Sequence, residues 1–494
     1  MQLINANAAS SAMSSAPLYF WQQSATENLN MALFSNQPGD EGLPGFERGL
    51  AMAAVMTMAA MVVFDGSMIN IALPQIARSL NASVGATVWV ANGYLLSAAM
   101  TLAIFASLSS RLGFRKVFTF GLSVFTLASV GCALSTSLDM LIAMRVLQGI
   151  GGAATLSIGP AILRSVFPNR LLGRVLGLNA LLIGTSTAIA PILGGTILST
   201  LSWQWLFAIN IPLGVIAFSL ALRVVPQNPA LKREPFDYAG ALLSAIALGA
   251  LVMAADAFTH AGNNDLKIAI AFGGTAIISS LAFIWVQRRV TKPLLPLNIF
   301  ASSRFSLAAL TSLASFVSQG ITFIALPFLF QSVYGYSALI SALLFTPWPI
   351  GIILAAPHAG RLADRYSPAI ISTVGLGIFA IGLALLAMLP EHAQVWDICL
   401  RSLICGIGFG CFQSPNNREM LSNASRENSG YASGVLAIMR TFGQCLGAAF
   451  VGVFMSIYAQ SSAVHISLWI AVIATVLAIV LSVSRLRGYK LAAG

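Results

Sequence analysis

Charge is what this sequence lacks most. Only 8% of its 494 residues are Asp, Glu, Lys or Arg, against about 25% in soluble proteins, and mean hydropathy is +0.84. A soluble globular protein is excluded, and a polytopic membrane protein is indicated. Cysteine is scarce too. Cys132, Cys399, Cys405, Cys411 and Cys445 all fall inside apolar segments. The last three before Cys445 are spaced by six, which turns each ~240° around a helix, so they share no face. Neither a disulfide framework nor a thiolate metal site is indicated. His260, His358, His392 and His465 sit near the ends of apolar runs. No nucleophile–base pair, acid pair or metal-ligand spacing lies at depth, so the sequence offers no catalytic centre and calls for no cofactor. The N-terminal stretch has no basic segment followed by an apolar one, so it is not a secretory signal. The net charge of +11 sits in short loops between apolar runs, the pattern of topology signals facing an anionic leaflet rather than of nucleic-acid binding.

What is present is a regular series of long apolar runs bounded by Gly, Pro, Asn or charge. Helices are expected near 50–73, 86–108, 116–136, 139–164, 173–198 and 204–225, then near 238–257, 268–287, 305–332, 338–358, 368–389, 396–415, 432–457 and 464–485. Each is near the ~20 residues a crossing needs, giving an all-α protein of fourteen transmembrane helices. Residues 1–48 are polar and aperiodic and read as a disordered cytoplasmic tail, with Met31 an alternative start. The even-numbered connections carry Arg111, Arg115 and Lys116; Arg164, Arg170 and Arg174; Arg223, Lys232 and Arg233; Arg288, Arg289, Lys292 and Arg304; Arg361 and Arg365; and Arg418 and Arg426. The odd-numbered ones carry only Arg78 and Lys267. This bias puts both termini in the cytoplasm.

The chain repeats itself. Gln148-Gly149-Ile150-Gly151 in the fourth run matches Cys405-Gly406-Ile407-Gly408 in the twelfth at an offset of 257, and the same offset takes Gly177 to Gly434. The loop ASLSSRLGFRK (106–116) resembles GRLADRYSP (360–368). The organisation expected is a six-helix half over 49–226, an inserted helix pair with its linkers over 227–300, a second six-helix half over 301–486, and a tail over 487–494. Parallel repeats about an axis along the membrane normal are a transporter architecture with its site near the midplane.

Four strings carry a family resemblance from about residue 50 onward: FDGSMINIALP (64–74), RVLQGIGGA (145–153), WQWLFAINIPLG (203–214) and GRLADR (360–365). Together they resemble the major facilitator superfamily, in its fourteen-helix drug:proton antiporter branch. The resemblance implies a multidrug-efflux type of protein in a bacterial cytoplasmic (inner) membrane, energised by the proton gradient. It also assigns Pro191, Gly194 and Gly195 to the family's antiporter motif in the fifth helix. Arg111, Gly113, Arg115, Gly360, Asp364 and Arg365 fall to cytoplasmic gate loops. The match is imperfect: Ser110 and Ala106 replace the acid and the leading glycine of the first gate loop, and Ser186 and Ala190 replace glycines of the fifth-helix motif.

The residue most in need of explanation is Asp65, alone among apolar neighbours in the first run, where a carboxylate costs roughly 2.5–3.5 kcal/mol. Arg145 in the fourth run lies ~9 Å below the outer surface and Asp65 ~13 Å below it, similar depths. An arginine beside the acid favours its charged form and an apolar lining its neutral form. That opposition suits a proton-exchanging site, and Arg145 either tunes it or simply pins helices. Met61 and Met68 flank Asp65 at helical spacing and Gln148 is a turn from Arg145; such methionines suit lipophilic substrates or are ordinary packing. Arg440, Gln319 and Gln444 add polar groups to the second half. Glycines 149, 151 and 152 lie mid-membrane with no preceding strand, so they read as close-packing positions, not a dinucleotide loop.

The function expected is proton-coupled efflux of a small lipophilic, cationic compound by alternating access, with Asp65 and Arg145 as the coupling pair. Export of an anionic or neutral metabolite, with Arg145 or Arg440 as the binding cation, is the alternative; a passive channel or sensor is more distant. The partners are a small-molecule substrate, protons and the lipid bilayer. A monomer is expected, and no adaptor is indicated.

Overall fold

The computed structural model describes residues 33, 35, 40–227, 236–257, 263–363, 365–390, 392–423 and 429–491. Among these, fourteen helices are long and apolar enough to cross a membrane, and no strand occurs. They are α1 Gly45–Ser79, α2 Val84–Leu112, α3 Phe114–Ala133, α4 Leu138–Val166, α5 Asn169–Thr200, α6 Trp205–Val224 and α7 Tyr238–Ala257. There follow α8 Asn263–Gln287, α9 Ser303–Val333, α10 Ala338–Leu362, α11 Pro368–Ala387, α12 Val395–Ser422, α13 Ser429–Ile457 and α14 Gln460–Leu491. In lipid every backbone polar group must find an internal partner, which is why spans this apolar are helical throughout.

Several helices outrun the expected boundaries. α1 begins at Gly45 and passes through Pro74 to Ser79, and α12 passes through Pro415 to Ser422. A proline removes one helical bond without ending the helix when neighbouring elements hold the turn. α4 is interrupted at Ser157 and Ile158, and α9 ends in a π-helical turn, Leu329–Val333. Serine caps open α2, α4, α9 and α10: Ser83, Ser137, Ser302 and Ser337 accept from the backbone N–H three residues on, at 3.2–3.4 Å.

The repeat in the sequence is a repeat in space. α4 packs between α2 and α3, and α12 packs in the same way between α10 and α11. A Cβ at Gly149 would stand 2.4 Å from the Tyr94 carbonyl oxygen on α2, and one at Gly406 would stand 2.0 Å from the Trp348 carbonyl oxygen on α10. A Cβ at Gly151 would lie 2.5 Å from the Phe125 nitrogen on α3, and one at Gly408 would lie 2.3 Å from the Phe379 nitrogen on α11. Small residues at these points let the helix backbones touch, which drives association where lipid removes the hydrophobic drive.

The halves meet through α2 with α13 and α5 with α10. At the end away from the basic loops, Gln331 in the π turn of α9 donates to the Ile71 carbonyl of α1 at 2.7 Å. There Gly195 of α5 is pressed against Leu339 and Ala342 of α10, and Gly85 of α2 against Gly452 and Ser456 of α13. Deeper along the same seam the Cys445 thiol meets the Asn92 carbonyl oxygen at 2.9 Å. Towards the basic end, the repeat-related Gly177 and Gly434 each have no atom within 4 Å of an added Cβ. The pair α7–α8 packs mainly on itself. α7 also covers the α2–α13 seam, where the Trp89 indole N–H donates to Asp256 at 2.8 Å and Val252 joins Leu96, Ala99, Phe442 and Cys445 in an apolar cluster.

The N-terminal stretch is packed where it is described. Leu33 is buried, and Arg48, 1% exposed in the first turns of α1, donates to the carbonyls of Leu43 and Leu33 at 3.0 and 3.4 Å. Asp40 pairs with Arg48 at 3.8 Å and with Arg170 at 2.6 Å. Residues 1–32 lie outside the described residues.

Candidate functional site

Five helices of the first half converge on one carboxylate. Asp65 projects from α1 and is 3% exposed, Arg145 and Gln148 come from α4, and both are fully buried. Arg145 forms an ion pair and hydrogen bond with Asp65 Oδ2. Gln148 Nε2 donates to Asp65 Oδ1 at 2.9 Å, and Asn210 Nδ2 of α6 donates to the same oxygen at 3.3 Å. Arg145 also donates to Gln148 Oε1 at 2.6 Å and, through Nε, to the Val90 carbonyl of α2 at 2.9 Å. Ser129 of α3 accepts from Gln148 at 2.9 Å. Two rings enclose the guanidinium, Tyr94 of α2 at 4.5 Å and Phe207 of α6 at 5.7 Å to the ring centres. A charge this deep is tolerable only when paired and hydrogen-bonded, and here each is both.

Asp65, Arg145 and Gln148, singled out from sequence, thus form one constellation. The two methionines do not join it as a cavity wall. Met61 and Met68 are buried in apolar packing, Met61 in the core of the first half and Met68 beside Gly194 of α5. Asn210, Ser129 and Tyr94 were missed. Asn210 lies inside the quoted 203–214 string as a polar residue in an apolar helix, a signal that could have found it.

In the second half, Gln444 of α13 donates to Gln319 of α9 at 2.9 Å. Arg440 is exposed although it lies well inside the membrane-crossing helix α13. Among the described residues it makes no hydrogen bond or ion pair. The offset of 257 relates Arg145 to Ser402. The buried cation of α4 therefore has a neutral counterpart on α12, and the halves are chemically unlike despite their shared packing.

A second ionic cluster closes the basic end of the second half. Arg485 of α14 donates to Glu419 at 2.9 Å and to Asn416 at 2.8 Å, both on α12, and also to Ser482. Asn416 in turn donates to Ser312 of α9 at 2.8 Å. Asn416 and Glu419 lie beyond the run expected near 396–415; the helix continues through Pro415 and carries them inward.

The loop and motif residues are separate from both clusters. Gly195 seats α5 on α10 and Gly194 seats it on α1, with Pro191 inside α5. Arg111 lies over the Phe236 ring at 4.8 Å, and Arg115 donates to the Leu222 carbonyl of α6. Gly113 takes a φ of 91° between α2 and α3, a conformation open to glycine. Gly360 faces Ser414 of α12, and Arg361 and Arg365 are exposed. Asp364 lies outside the described residues. No cluster of three or more His, Cys, Asp or Glu able to hold a metal occurs among the described residues.

Known proteins are similar to this chain in sequence or in fold. The chain is 39% identical to the uncharacterized transporter YebQ of Escherichia coli (strain K12), over 89% of this chain and 95% of that one. It is 30% identical to the riboflavin transporter RibZ of Clostridioides difficile (strain 630), over 81% and 86%. It is also 30% identical to the tetracenomycin C resistance and export protein of Streptomyces glaucescens, over 82% and 75%. The fold resembles a bacterial homolog of the human lysosomal transporter Spinster, solved inward-facing and unoccupied, with a TM-score of 0.64 and 14% identity over 92% of this chain and 99% of that one. The Major Facilitator Superfamily profile matches residues 55–448. An integral membrane chain with fourteen spans, two repeated halves and this profile belongs to the Major Facilitator Superfamily of transporters.

Proposed function

We propose that this protein exports a small lipophilic molecule by alternating access, coupled to protons through Asp65. The observation that carries the reading is the Asp65–Arg145–Gln148–Asn210 constellation, a carboxylate held at mid-depth by three other helices' worth of donors and rings. Protonating Asp65 would remove the anion that Arg145 pairs with and oblige α1, α4 and α6 to repack, so proton uptake and helix arrangement are linked. Resistance and export relatives support the outward direction.

In this reading the basic loops and both termini face the cytoplasm and the membrane is the bacterial inner one. The two halves then touch at the outer side, through Gln331, Gly195 and Gly85. The arrangement fits an inward-facing state of a monomer built of halves 49–226 and 301–486, with 227–300 covering one seam. Arg111, Arg115, Arg361, Asp364 and Arg365 would close the opposite side when the cycle turns, with the second loop carrying more of the gate because Ser110 replaces an acid in the first. The antiporter motif Pro191, Gly194 and Gly195 would serve as the close-packed pivot between α5 and both α1 and α10.

Our reading of the substrate's charge rests on which buried groups are already engaged. The acid that would attract a cation, Asp65, is fully occupied by Arg145, Gln148 and Asn210. An anionic or neutral molecule is therefore favoured over the cation expected from sequence.

The test is accumulation of two xanthene dyes of opposite charge, fluorescein and a rhodamine ester, in inside-out membrane vesicles carrying the protein. At least one dye is expected to accumulate with an imposed proton gradient and to cease when an ionophore collapses it, and Asp65→Asn should abolish the gradient-driven part. Accumulation indifferent to the gradient, or undiminished in Asp65→Asn, would overturn the coupling.

A further inference from the structure

We propose that Arg440, together with the Tyr94 hydroxyl, receives an acidic group of the transported molecule, so that the carried species is an organic anion; this rests on the export reading and names its substrate class. Arg440 lies eleven residues beyond the start of α13 at Ser429, ~17 Å along a helix that crosses the membrane. A guanidinium at that depth is normally paired, because an unpaired one is costly in a low-dielectric interior. Arg440 is not paired among the described residues, and it is exposed. The physical resolution is an aqueous space reaching Arg440, whose guanidinium carries five N–H donors not used among the described residues.

Two acids buried in the described part of the bundle are already engaged. Asp65 is bound by Arg145, and Glu419 by Arg485. The constellation around Asp65 is thus close to neutral as a whole, whereas Arg440 is uncompensated among the described residues. A cationic solute entering this space meets repulsion, whereas a carboxylate, phenolate or similar group gains a charge-assisted, bidentate contact.

Tyr94 provides the second, independent observation. The residue is 5% exposed, its hydroxyl makes no hydrogen bond among the described residues, and that oxygen is not one of the fully enclosed polar atoms, so it is free to meet a solute. Its ring is fixed by Arg145 at 4.5 Å on one side, and its hydroxyl lies where a Cβ at Gly152 would stand 2.7 Å away. Tyr94 and Arg440 lie on α2 and α13, which form one of the two seams between the halves and are held together nearby by the Cys445–Asn92 contact and the Leu96, Ala99, Phe442 cluster. An acidic group accepting from both would therefore bridge the halves, as a transported molecule must if its release is to follow their rearrangement.

The experiment measures binding of fluorescein and of the rhodamine ester to the purified full-length protein in detergent, by fluorescence anisotropy. Wild type should bind fluorescein. Arg440→Gln should weaken it at least tenfold, Tyr94→Phe severalfold, and Arg440→Lys much less than Arg440→Gln, while binding of the rhodamine ester is unchanged or improved. Thermal unfolding of each variant separates site loss from fold loss. Failure of wild type to bind fluorescein, or equal loss of both dyes in Arg440→Gln and Arg440→Lys, would overturn the anion site. Vesicle accumulation distinguishes the two readings. A protein that pumps the rhodamine ester but does not bind fluorescein loses the anion site and keeps export. One that binds fluorescein through Arg440 but accumulates neither dye keeps the site and loses export.

Discussion

Arg145 and Asp65 are 80 residues apart in the chain, and their side chains, each 1% exposed, form an ion pair sealed inside the first half. Such a pair has an asymmetric energetics: removing both charges can be nearly neutral, whereas removing one leaves the other buried and unpaired at a cost of about 3–5 kcal/mol. Asp65→Asn is therefore expected to lower the unfolding temperature in detergent well below wild type. Asp65→Asn combined with Arg145→Gln should recover most of that loss while remaining uncoupled. A single variant as stable as wild type would show that the pair holds nothing together.

The glycines of the repeat give a packing prediction with its own control. Alanine at Gly406 would drive its Cβ to 2.0 Å from the Trp348 carbonyl oxygen, and alanine at Gly149 to 2.1 Å from the Ser97 hydroxyl. Overpacking of this kind typically costs about 1–3 kcal/mol. The same change at Gly434, where no atom lies within 4 Å, should be neutral or mildly stabilising through helix propensity. Thermal unfolding of Gly406→Ala beside Gly434→Ala checks the contrast, and equal behaviour of the two would refute it.

The N-terminal stretch divides into a dispensable and a needed part. A chain starting at Met31 keeps Leu33, Asp40 and Leu43, which hold the buried Arg48. It should insert and transport like the full chain. Deleting through Leu43 leaves the Arg48 guanidinium without these partners, and the yield of folded protein should fall several-fold. Fluorescence-detected size-exclusion chromatography of both truncations is the measurement, and equal yields would assign the 33–43 stretch no structural role.

The membrane fold was legible in the sequence because its cause is local. Each span is one long, largely apolar run, and in lipid such a run satisfies its backbone only as a helix, so fourteen spans could be counted from hydropathy alone. The repeat was legible for the same reason: helices pack closely only where glycine removes the side chain, and Gly149, Gly151, Gly406 and Gly408 stand at the contacts with α2, α3, α10 and α11. Helix ends were less legible. Pro74 and Pro415 look like stops, and only neighbouring helices decide that the chain continues through them.

What sequence alone determined, then, was the inventory of rare polar groups at depth: Asp65, Arg145, Gln148 and Arg440 stand out because each is expensive in an apolar run. Which of them are spent on one another was decided by the tertiary structure. Sequence puts Asp65 and Arg145 at similar depth, but only the packing of α1 against α2, α4 and α6 makes them a closed pair. That packing also recruits Asn210 and turns Met61 and Met68 into core. Arg440 shows the converse. Its charge is read from one letter, whereas its lack of a protein partner depends on the approach of α13 to α2 and α9, helices more than a hundred residues away in the chain. Depth is a property of a residue's place along one helix; pairing is a property of several helices at once.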